Sequence, residues 1–105
     1  VDSTVSGNTA AGRGGGIHNG SRGTLTTTSS FVNGGNTAAR GGGIAAVDAT
    51  ATTLTSTPVS ANKALLTAGG IYRRNGTMTL TTSPVGGNAP NNCVGSSPAV
   101  PSCVG

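Results

Sequence analysis

Val5-Ser-Gly-Asn8 followed by Gly14-Gly-Gly-Ile17, and the same two phrases again as Val59-Ser-Ala-Asn62 and Gly69-Gly-Ile71, decide how this chain is read. A middle copy carries Val32, Asn36 and Gly41-Gly-Gly-Ile44, and Val85-Gly-Gly-Asn88 opens a fourth. Ile17, Ile44 and Ile71 lie 27 residues apart; so do Val5, Val32 and Val59, with Val85 following at 26. The Val-to-Ile distance is always 12, whereas the next step, to the Leu of a Thr-Leu-Thr segment (Leu25, Leu54, Leu80), is 8, 10 and 9. Strict register in two segments, with the stretches between them absorbing insertions, is how the coils of a solenoid behave.

The residues of each coil favour strand over helix. In Thr77-Met78-Thr79-Leu80-Thr81 the apolar residues alternate with threonines, which puts Met78 and Leu80 on one face. Thr and Val suit a pleated backbone. The glycines before each Ile would cost a helix about 1 kcal/mol apiece but let a tight coil turn a corner. Pro58 and Pro84 stand just before Val59 and Val85, where a corner meets a strand. The spacing predicts an all-β parallel β-helix of about four coils of about 27 residues, with three short strands per coil. Repeats fill residues 1–90, and residues 91–105 form a C-terminal cap or tail.

The expected core is a set of columns: Val5, Val32, Val59 and Val85; Ile17, Ile44 and Ile71; Leu25, Leu54 and Leu80; and a small-residue column of Ala10, Ala38 and Ala64. The stretch from Leu25 to Val32 is two residues longer than its counterparts, which leaves room for Phe31 to displace Val32 inward. Asn8, Asn36, Asn62 and Asn88 form a further column, read as a structural ladder of stacked amides.

Hydrophobic-x-x-Asn followed by Gly-Gly-x-hydrophobic resembles the repeat of chlamydial polymorphic outer-membrane proteins. The fuller pattern, with Asn-Thr-Ala, Gly-Gly-Gly-Ile and Thr-Leu-Thr, is similar to that of secreted bacterial β-helix repeat proteins. The resemblance covers roughly residues 1–88 and departs in the second repeat, where Phe31-Val-Asn-Gly-Gly-Asn36 carries extra residues. It implies a right-handed coil, a place on the cell surface or outside the cell, and an adhesive or scaffolding role.

Composition argues against catalysis. The 105 residues include 19 glycines but one Phe, one Tyr, no Trp and a single His. Acid–base work on a β-helix needs paired carboxylates, and Asp2 and Asp48 are the only acids. His18 alone builds neither a metal site nor a triad and is read as decorating an outer strand. No cofactor and no metal are expected. The glycine runs lack the Lys-Ser/Thr and the helix of a phosphate loop. Asn19-Gly-Ser and Asn75-Gly-Thr match glycosylation acceptors but read better as turns.

The charge is +4, too sparse for nucleic acid, and no apolar run of 18 residues would insert into a membrane. Arg13, Arg40, Arg73 and Arg74 offer a weak anion contact or serve as solubility charges. Cys93 and Cys103 fit one disulfide of an exported protein, two free thiols being the alternative. A start at Val1 suggests a processed product or an excised segment.

Three functions stay in play. The first is a non-catalytic extracellular structural or adhesive protein, secreted or on the cell surface, associating with itself through an uncapped N-terminal coil into fibres or oligomers. The second is an ice-binding solenoid using the outward ranks Thr24 and Thr26, Thr53 and Thr55, Thr79 and Thr81. The third is a module for glycans or cell wall.

Overall fold

The computed structural model describes residues 3–20 and 22–96, with Val100 and Cys103. Asp2, one of the two acids, lies outside them. The described residues form twelve short strands and no helix. They stack as a parallel β-solenoid of three full turns and the opening of a fourth.

One side of the coil joins β1 (Thr4–Val5), β4 (Phe31–Val32), β8 (Val59–Ser60) and β12 (Val85–Gly86) in that order. A second side joins β2 (Ile17–Asn19), β6 (Ile44–Val47) and β10 (Ile71–Arg74), and a third joins β3 (Thr24–Thr28), β7 (Ala51–Thr55) and β11 (Thr77–Thr81). Every pairing is parallel. Val5, Val32, Val59 and Val85 stand in one register column, and Ile17, Ile44 and Ile71 in another.

The coil has four sides, one more than the spacing predicted. The extra side pairs β5 (Thr37–Arg40) with β9 (Lys63–Thr67). Bridges from Thr9 to Thr37 and from Lys63 to Ala89 carry it to the coils above and below. Ala38 and Ala64 pair within it, so the expected small-residue column is a strand position. No alternation marks it in the sequence, where Lys63-Ala-Leu-Leu-Thr67 sets two leucines side by side. The register slips between Ala38 and Arg40, and both Leu65 and Leu66 face outward, 70% and 58% exposed.

Four sides need four corners, and each is turned by a residue in the left-handed region. The columns are Gly7, Gly34, Ala61 and Gly87; Gly14, Gly41 and Ala68; Arg22, Asp48 and Asn75; and Ser29, Ser56 and Thr82. Glycine takes this conformation freely, and Asn and Asp visit it more readily than most. At the second corner glycine is also needed for space. A Cβ on Gly42 would collide with the Lys63 carbonyl oxygen, and one on Gly43 would stand 2.8 Å from that of Gly70. The backbones of successive coils therefore close on each other there.

The third core column is corrected by register. Leu25 pairs with Thr52, and Thr27 pairs with Leu54, which continues to Leu80. The first coil is therefore two residues out of step in this strand. That offset absorbs the longer stretch before Val32 and removes the reason to turn Phe31 inward. Val32 is 1% exposed and Phe31 47%. Ile44, Leu54, Val59 and Ile71 are fully buried, while Val5, Ile17, Leu25, Leu80 and Val85 are partly buried against them toward the ends of the stack. Cys93 and Val100 belong to the same cluster and close its lower end.

Candidate functional site

The Asn column is a continuous directional ladder. Asn8 donates from its backbone N and from Nδ2 to Oδ1 of Asn36, both at 3.1 Å. Asn36 donates in the same way to Asn62 Oδ1 at 3.2 and 2.8 Å, and Asn62 to Asn88 Oδ1 at 2.9 and 3.1 Å. Each Nδ2 also closes a backbone carbonyl: Asn36 on Val5, Asn62 on Val32, Asn88 on Val59. Asn36 and Asn62 are buried. Buried amides with both ends paired hold the corner in one register.

A second polar column went unread in the sequence. Ser30, Thr57 and Ser83, spaced by 27 and 26, donate their hydroxyls to the carbonyls of Thr28, Thr55 and Thr81. Ser30 and Ser83 also accept from the residue one coil earlier, the N–H of Ser3 and of Thr57. The spacing signal was present, but Ser and Thr are too common in this chain for it to stand out. Asn19, expected in a turn, is instead buried at the end of β2, its Nδ2 donating to Ala51 O and Thr52 Oγ1.

The glycine corner has the same polarity as the ladder. Gly15 and Ile17 donate their N–H groups to the carbonyls of Gly41 and Gly43, and Gly42, Gly43 and Ile44 donate to those of Ala68, Gly69 and Gly70. Gly69 N–H then reaches Asn91 O at 2.8 Å, and Gly70 and Ile71 reach Asn92 O at 3.0 Å. Ala68 N–H donates to Asn91 Oδ1, and Asn88 donates from N and Nδ2 to Asn92 Oδ1. The segment after Asn88 thus supplies the last coil with acceptors, and a disulfide between Cys93 and Cys103 ties it down. At the opposite end, no donor among the described residues reaches the carbonyls of Gly14, Gly15 and Gly16 or Asn8 Oδ1.

The third side presents the threonines. With the corrected register its outward positions form three ranks: Thr24, Ala51 and Thr77; Thr26, Thr53 and Thr79; Thr28, Thr55 and Thr81. Eight of nine are threonine, where the sequence suggested two ranks of three. Their neighbours Thr52, Leu54 and Met78 are buried, so the alternation holds. Among the described residues no side-chain hydrogen bond engages these outward hydroxyls.

The arginines do not form one patch. Arg13 and Arg40 are bridged across coils. Arg40 lies over the Tyr72 ring at 6.0 Å, and Arg73 turns back to the Gly76 carbonyl through Nε and Nη2. Arg74 is exposed. His18 is exposed on β2 opposite Ala45. Asn75 sits at a corner and donates to Asp48 Oδ1 at 2.8 Å. Among the described residues no three of His, Cys, Asp and Glu gather as metal ligands, and no helix is long and apolar enough to cross a membrane. No protein-family model, no curated protein and no solved structure matches the chain.

Proposed function

We propose that this protein is a non-catalytic extracellular structural element of adhesive kind, which associates with copies of itself by coil-on-coil stacking. The observation that carries this reading is the common direction of the Asn-to-Asn and glycine-corner bonds. In the Asn-to-Asn bonds and the glycine-corner N–H bonds the donors point down the stack, and no donor among the described residues reaches the matching acceptors of the first coil. Unpaired strand edges of this kind are templates for pairing with another chain. The Cys93–Cys103 disulfide supports an oxidising compartment, and with it a secreted or surface location. Light scattering and electron microscopy of the purified chain and of cap-weakened variants test the reading. Ordered end-to-end assemblies of the cap-weakened variants are the expected result, and strictly monomeric behaviour in every form at high concentration would remove it.

A second reading rests on the threonine side. Eight hydroxyls on one sheet repeat at about 6.8 Å along the strands and about 4.8 Å across them, a regular lattice suited to ordered water. Thermal hysteresis that disappears in Thr53→Tyr is the outcome this reading requires.

A further inference from the structure

We propose that residues 85–92 imitate the first coil of a second copy, and that displacing them lets copies stack head to tail. This deepens the self-association reading and rests on it. The imitation runs residue by residue. Val85 takes the register of Val59 as Val32 takes that of Val5, and Asn88 Oδ1 accepts from Asn62 as Asn36 Oδ1 accepts from Asn8. Ala89 O accepts from Ala64 N–H as Thr37 O does from Ala10 N–H. Asn92 O accepts from Ile71 N–H as Gly43 O does from Ile17 N–H. The chain therefore spends eight residues, 85–92, on what residues 5–16 do with two bridged positions and a glycine corner.

The two ends are complementary because coils pair in one parallel register throughout, which an incoming first coil would continue. The last coil presents N–H donors at Ala64, Gly69, Gly70 and Ile71, all taken by the cap. The first coil presents acceptors at Asn8 Oδ1 and at Gly14, Gly15 and Gly16, none taken among the described residues. An incoming first coil sets Val5 in the place of Val85, Asn8 in that of Asn88, Thr9 in that of Ala89 and the Gly16 carbonyl in that of Asn92. The occupant that fits the last coil is the first coil of another copy, and a heterologous contact of this kind does not close and so grows a filament. The disulfide and the buried Cys93 and Val100 hold the cap against this exchange.

The test is a full-length chain carrying Asn88→Gly, Asn92→Gly, Cys93→Ser and Cys103→Ser, compared with the native chain by analytical ultracentrifugation and electron microscopy. The variant is expected to form filaments whose mean mass rises several-fold with concentration, while the native chain stays monomeric. Native chain added in small amounts is expected to shorten the filaments, because its first coil is accepted and its capped end adds nothing. Asn8→Lys in the variant background, which replaces an acceptor with a cationic donor, is expected to return it to monomer. A folded variant that stays monomeric, or filaments that native chain does not shorten or Asn8→Lys does not abolish, would overturn the proposal. Native chain that assembles as readily as the variant would overturn the cap's role while leaving self-association standing. If the fourfold variant does not fold, Cys93→Ser with Cys103→Ser alone carries the same expectations.

Discussion

Thr27 shows how a single side chain records the offset of the first coil. It takes the inward position that Leu54 and Leu80 occupy below it, and its hydroxyl is buried with no partner among the described residues. A buried hydroxyl without a hydrogen bond costs about 1–3 kcal/mol. Thr27→Val keeps the shape and removes that cost, so chemical denaturation is expected to show a gain of about 1 kcal/mol. An unchanged or lowered midpoint would mean that the hydroxyl has a partner in solution. Leu25 was legible as an apolar residue flanked by threonines. Its register was not, because the Thr-Leu-Thr motif recurs while the pairing follows the corners.

The element that most sets this fold apart is the asparagine ladder, whose rungs differ in worth by their place. Asn62 is buried in mid-stack, where its Oδ1 accepts twice from Asn36 and its Nδ2 closes the Val32 carbonyl. Asn62→Ala leaves those groups unsatisfied and is expected to cost about 2 kcal/mol or more. Asn8 is exposed at the open end, where no donor among the described residues reaches its Oδ1, and Asn8→Ala is expected to cost less than about 1 kcal/mol. Equal losses in thermal unfolding would argue against a ladder whose strength lies inside the stack. The four Asn positions were plain from their spacing. The direction of the bonds was not, because an amide offers a donor and an acceptor and only the coil geometry selects between them.

For the whole molecule, stability is close to a sum over neighbouring coils, since each coil touches only those above and below. Ile44 is fully buried between Ile17 and Ile71, whereas Ile17 is half-buried with a neighbour on one side. Ile44→Ala is expected to cost about 2–5 kcal/mol and to raise amide exchange throughout the stack. Ile17→Ala is expected to cost less and to speed exchange mainly in the first coil. Exchange that rises uniformly in both variants would show the stack opening as one unit.

What the sequence determined by itself was the period, because a parallel coil places one equivalent residue per turn in each column. The 26–28-residue repeats of Val, Ile and Asn named three columns and the solenoid at once. Tertiary structure alone decided the number of sides, the register of the threonine strands and the opposite character of the two ends. The fourth side lacks alternation because its strand slips and turns two leucines outward, so no period announces it. The ends differ because the Asn-to-Asn bonds of the ladder and the N–H bonds of the glycine corner run in one direction, a property of how coils stack that no single coil carries in its sequence.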